Sequence, residues 1–190
     1  MMVPPHDEAI VNKSVNLQPH LQGDLVILRP LVAADWDALF AVASDPLIWE
    51  QHPASDRYKE EVFREYFREA LQEAELGTGG AFAIIDRADN RIIGSSRYHG
   101  YDAQRSEIEI GWTFLSRSHW GGRYNSEVKR IMLAHVFQYV DRVIFLVGVS
   151  NIRSQKAMER IGGRYDGTIA KPDRHGNLPM SIRYVVDKPR

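Results

Sequence analysis

The residues whose types and spacing could do chemistry gather in the second half of the chain. The pair Gly121-Gly122 follows a short polar segment and precedes Arg123-Tyr124-Asn125-Ser126 and an amphipathic stretch that runs to Phe137. Upstream, Ile108, Ile110 and Trp112 alternate with Glu107, Glu109 and Gly111, which is the period of a strand. A strand, a glycine turn and a helix start make an anion site, because the first backbone N–H groups of a helix are unpaired and its dipole is positive there. A phosphate can bind such a turn without a dedicated charged side chain. Glu107 and Glu109 share one face of that strand and, taken alone, form a solvent-facing polar stripe. Asn151 and Ser154, just after an apolar run, are ordinary capping residues for a helix start.

Other chemistries are poorly supplied. With no cysteine there are no disulfides, thiolate metal sites or cysteine nucleophiles. His52, His99, His119 and His175 are isolated and no pair has helical metal-ligand spacing, so no metal site is expected. Neither a P-loop nor a dinucleotide G-x-G-x-x-G is present, which argues against nucleotide hydrolases and dehydrogenases.

The elements that must position these residues follow from the pattern. Residues 1–20, with Pro4-Pro5, Asn12, Asn16 and Pro19, show no periodicity and read as a flexible arm before a domain at 21–190. Leu25 to Leu31 is a first strand, and Asp35 opens a helix carrying Trp36, Leu39, Phe40 and Ala43 that ends before Pro46. Leu47 to Arg57 is a loop able to border a cleft. From Tyr58 to Leu76 one apolar stripe opposes a dense charged face, the clearest helix in the chain, stopped by Gly77-Thr78-Gly79-Gly80. Ala81–Ile85 and Ile92–Tyr98 flank an Asp89-Asn90 turn as a hairpin. Val143–Val149 suits a strand buried on both faces, Asn151–Ile161 a helix stopped by Gly162-Gly163, and Arg164–Ala170 and Ser181–Val186 two strands around a polar turn. The sum is a single mixed α/β domain.

Composition agrees. The 190 residues, 44% of them hydrophobic, can bury one substantial core. A net charge of −1 with interleaved signs leaves no electropositive footprint for nucleic acid. No apolar run reaches membrane-spanning length and Met1–Gln22 lacks a signal-peptide core, so the expectation is a soluble cytoplasmic protein with no membrane partner.

This element order, with a glycine turn after the fourth strand and Asn151-Ile152-Arg153-Ser154 after the fifth, resembles the GNAT superfamily of acetyl-CoA-dependent N-acetyltransferases over residues 21–186. It looks most like the RimJ/RimL-like branch, which acetylates ribosomal-protein N-termini. That branch carries a Trp-Gly-x-Gly-Tyr turn, then a glutamate and a helix ending in Phe; Trp120, Gly121, Tyr124, Glu127 and Phe137 match. It also carries Asn-x-x-Ser and Glu-x-x-Gly, matched by Asn151, Ser154, Glu159 and Gly162. The two small positions of the superfamily turn fall here on Arg123 and Asn125. Either the turn is reshaped around Gly121-Gly122, with the Arg123 guanidinium pairing a phosphate, or cofactor binding is weakened.

The resemblance implies a GNAT-like domain with a mixed, mostly antiparallel sheet flanked by helices, taking acetyl-CoA as co-substrate and transferring the acetyl group directly to a primary amine. The acceptor would be a protein N-terminus or a small-molecule amine. It implies a cofactor site at Leu115, Trp120, Gly121, Gly122, Arg123, Tyr124, Asn125, Ser126, Asn151 and Ser154. Leu115 would lie at a bulge and offer its backbone amide to the thioester carbonyl. Glu109, or failing it Glu107, would act as base, and Ser154 would serve the departing sulfur. A catalytically silent acyl-CoA-binding or protein-interaction domain is the alternative. A C-terminal strand edge offers a surface for homodimer pairing.

Overall fold

A computed structural model describes residues 15–170 and 176–190. The strands are β1 (Leu21–Gln22), β2 (Val26–Pro30), β3 (Gly80–Asp86), β4 (Ile92–Asp102), β5 (Glu107–Leu115), β6 (Arg142–Gly148), β7 (Arg164–Ala170) and β8 (Met180–Asp187). The helices are α1 (Trp36–Ala43), α2 (Glu60–Leu76), α3 (Arg123–Val136) and α4 (Ile152–Arg160). One eight-stranded sheet runs in the order β1-β2-β3-β4-β5-β6-β8-β7. All neighbours are antiparallel except β5 and β6.

Each face of the sheet has its own core. On one, Leu39 and Ala43 of α1 and Phe63, Phe67 and Ala70 of α2 pack on Ala81, Ala83 and Phe114. On the other, Val128, Met132 and Val136 of α3 and Met158 of α4 pack on Leu28, Ile84, Ile108, Ile110 and Phe145. The charged face of α2 is exposed as its stripe requires, and Gly77 ends the helix in the left-handed region at φ 68°. Leu17 is buried in the second core with Val15 packed beside it, so part of the stretch expected as an arm lies on the domain; residues 1–14 lie outside the described residues.

Two features depart from the expected pattern. β6 is buried on one face only, because the α1–α2 core includes none of its residues and Ile144 and Leu146 stay half-buried. The second is a β-bulge in β5. Ser95 pairs with Phe114 and Arg97 with Gly111, so Ser96 faces both Trp112 and Thr113, and Trp112 takes φ 51°. One extra residue inverts the alternation beyond it. Trp112 and Phe114 therefore join the α1–α2 face, while Thr113 and Leu115 turn to the α3 face. The bulge is thus at Trp112, not at Leu115, which pairs in register with Gly94.

Candidate active site

The parallel pairing of β5 with β6 is short. Glu107, Ile108 and Glu109 pair with Arg142, Val143 and Ile144, and beyond them the strands part. The opening continues into a cleft of about 860 Å³, with Ile110–Leu115 on one arm of the fork and Phe145–Gly148 on the other. Trp120, Gly121, Gly122 and Asn125 line it at the start of α3, and Asn151, Arg153, Ser154 and Arg160 at α4. Its far wall is the 48–57 loop with Val62, Glu65, Tyr66 and Glu69 of α2. The indole N–H of buried Trp49 anchors that loop to the Ala43 carbonyl at 2.7 Å.

The turn before α3 takes its shape from glycine. Gly121 and Gly122 have φ of 105° and 109°, which only glycine adopts freely, and Arg123 is already the first helical residue. Arg123 and Asn125 thus need no unusual backbone angles, and the turn is reshaped around the two glycines. A Cβ on Gly122 would sit 3.0 Å from Nη1 of Arg160, so that guanidinium lies over the turn. A second cation is close by: the Arg153 guanidinium stacks on the Trp120 ring at 3.9 Å and donates to the Ile48 carbonyl at 3.0 Å. Arg123 itself is exposed, and neither it, Tyr124 nor Ser126 lines the cleft. Tyr124 is a strut: its hydroxyl donates to Asp86 Oδ2 at 3.3 Å, and His119 Nε2 meets the same oxygen at 3.0 Å.

On β5 the hydrogen-bond alternation fixes the direction of the Leu115 amide. Ser116 N donates to the Ile93 carbonyl at 2.7 Å, which leaves Leu115 in the intervening non-hydrogen-bonded position. Its N–H and C=O therefore point away from β4, and the carbonyl accepts the Trp120 indole N–H at 3.0 Å. Glu109 also lines the cleft, with Oε1 only 3.1 Å from where a Cβ of Gly111 would stand. Glu107 does not line it; its carboxylate sits 3.3 Å from both Arg105 and Arg183. The Asn151 side chain caps α4, its Oδ1 accepting from Ser154 N at 3.0 Å. The amide NH2 of Asn151 and the Ser154 hydroxyl are what remain for a ligand.

Several cleft residues gave no signal as ligands. Arg153 and Arg160 sit on a helix read only for its caps. His52, half-buried beside Trp49, is pushed down to about 3 by burial and by Arg57 and Arg153, so it is neutral near pH 7. Lys129 lines the cleft from α3 and burial brings it to about 7; its signal in the sequence is a cation three residues before Met132 and seven before Val136, on an apolar helix stripe. His175 and part of the 171–179 turn lie outside the described residues. Among the described residues no three His, Asp or Glu side chains gather as a metal site, and no helix is long and apolar enough to cross a membrane.

Residues 26–164 match the acetyltransferase (GNAT) domain. The chain is 27% identical to YnaD, an uncharacterised N-acetyltransferase of Bacillus subtilis strain 168, over 83% of this chain and 90% of that protein. Among solved structures, an acetyltransferase from T. thermophilus superposes with a TM-score of 0.74 at 26% identity, covering 90% of each chain. Mycobacterium smegmatis RimJ, in complex with a CoA disulfide, shares the fold at TM-score 0.70 and 18% identity, over 88% of this chain and 84% of that one. The forked sheet and glycine turn thus occur in a chain most of which matches one domain family, and the protein belongs to the GNAT acetyltransferases, enzymes that use acetyl-CoA as acyl donor.

Proposed function

We propose that the protein transfers the acetyl group of acetyl-CoA directly to a primary amine held on the α2 side of the cleft. The observation that carries this reading is the continuity of one cleft from the Gly121-Gly122 turn, through the β5–β6 fork, to Glu109 and the acidic wall of α2. The turn fits a pyrophosphate: α3 presents unpaired N–H groups there, two glycines keep Cβ atoms away, and Arg160 lies over it, with Arg123 exposed at the rim. Asn151 is placed to hydrogen-bond an amide of the pantetheine arm. The Leu115 N–H is placed to polarise the thioester carbonyl, and the Ser154 hydroxyl to hydrogen-bond the departing sulfur.

Glu109 is the base of this reading. A protonated amine cannot attack, and a carboxylate in the cleft removes its proton directly or through water. Glu107, held between two arginines, is not needed for that role. Glu65, Glu69 and Asp56 line the acceptor side beside Trp49, Tyr66 and Trp112, a lining suited to an ammonium on a protein N-terminus or a small molecule. With no cysteine to carry an acyl group, transfer within a ternary complex is the simplest course.

The test is a panel of peptide N-termini and small amines incubated with acetyl-CoA, following free thiol release. Acceptor-dependent release supports the proposal. Tight coenzyme A binding without turnover on any amine would instead mark a silent cofactor-binding domain.

A further inference from the structure

Lys129 is 3% exposed on α3, among positions that otherwise bury apolar side chains. Its Nζ donates to Thr113 Oγ1, which shares a 2.7 Å hydrogen bond with Ser96 Oγ. It also lies 5.4 Å from the centre of the Phe145 ring. Thr113 belongs to β5, and Phe145 is the first residue of β6 beyond the paired segment. The amine therefore reaches across the base of the fork from below, and it lines the cleft. Thr113 faces it only because the bulge at Trp112 inverts the strand beyond that point.

No carboxylate pairs with Lys129 among the described residues. A cation removed from water without a counter-charge is unfavourable, and methionine or leucine would pack there at no such cost. Such a residue makes sense where negative charge appears during the reaction. Acetyl transfer creates it twice, on the carbonyl oxygen as the amine adds and on the sulfur as the thiolate leaves. The Leu115 amide is directed at the first.

Resting on the reading above, we propose that Lys129 is a second catalytic residue, whose ammonium faces the thioester sulfur in the fork and protonates the departing coenzyme A thiolate. The acceptor nitrogen forms the bond to the carbonyl carbon and the carbon–sulfur bond breaks. Its electron pair takes a proton from Nζ, and the neutral lysine regains one from solvent, where the proton removed from the acceptor has gone. Ser154 then hydrogen-bonds the sulfur without supplying the proton. An amine brought by burial to about 7 gives up a proton to a thiolate readily at neutral pH.

The experiment compares binding of coenzyme A and desulfo-coenzyme A, which lacks the sulfur, by calorimetry to the wild-type protein and to Lys129→Met. Wild type is expected to prefer coenzyme A about tenfold at mildly alkaline pH, where the thiolate and ammonium can pair. The variant should bind both ligands alike, and its kcat should fall about a hundredfold with little change in KM for acetyl-CoA. Equal wild-type affinity for the two ligands overturns the proposal without need of any variant, and so does an unchanged kcat in Lys129→Met. Failure of the wild type to bind coenzyme A at all would instead overturn the cofactor cleft itself.

Discussion

Glu127 lies so close to Gly23 that a Cβ there would stand 2.5 Å from its Cδ. The carboxylate uses that space to accept three backbone N–H groups, from Asp24 at 2.8 Å, Leu25 at 2.7 Å and Val26 at 3.0 Å. It ties α3 to the turn between β1 and β2, far from the reacting atoms. Burial raises its pKa, but the three donors, with Arg130, lower it further, and the balance lies below the ordinary carboxylate value. The folded state thus holds the proton less tightly than the unfolded chain, so the stabilisation is full above pH 5 or so and is lost as acid titrates the folded group. Glu127→Gln should cost about 1 to 3 kcal/mol at neutral pH and less in acid, read by urea melts at several pH values. Gly23→Ala should also destabilise, with coenzyme A affinity retained.

Glu109→Gln should lower turnover most severely at low pH, where the acceptor amine is protonated, and leave coenzyme A affinity nearly intact. A pH–rate profile alongside calorimetry reads both. An unchanged profile would place the base elsewhere.

Asn151 and Ser154 separate stability from chemistry. Since Asn151 Oδ1 caps the Ser154 N–H, Asn151→Ala should cost about 0.5 to 2 kcal/mol by loss of the cap. Ser154→Ala keeps that cap, which uses only the backbone. It should melt like the wild type yet turn over more slowly, and a normal rate with reduced stability would make the serine purely structural.

Lys129 should leave a signature in stability as well. Its folded pKa of about 7 lies below the unfolded lysine value, so the unfolded chain binds more protons between the two. Stability conferred by this site therefore rises with pH through that window, by up to about 1.4 kcal/mol per pH unit. Lys129→Met should exceed the wild type most at or below pH 7, and the advantage should shrink steadily toward pH 10. A difference in melting temperature that does not vary with pH would show that the lysine is not buried as a titrating group.

Much of the architecture was legible in the residues. The α2 stripe, the Asp89-Asn90 hairpin and the Gly77 stop are local patterns, and local sterics decide them. The bulge was not legible, because nothing about a tryptophan marks it for a left-handed backbone; only pairing against Arg97 and Ser95 reveals it. The fork was hidden for a related reason. It consists of hydrogen bonds not made between β5 and β6, and an apolar strand reads the same whether its neighbour is paired or parted. Arg153 and Arg160 reach the cleft through tertiary contacts with Trp120 and Gly122, which no spacing along α4 encodes.

The fork also has a mechanical meaning. With only three residue pairs joining β5 to β6, the sheet is two plates, β1–β5 and β6–β8–β7, meeting at a narrow seam. A linear molecule with amide groups laid in the gap would act as a missing strand, bonding to the edge of each plate. Cofactor binding should then couple the motions of two half-domains, and amide exchange would slow along β6 and β8, which lie beyond the seam from the glycine turn.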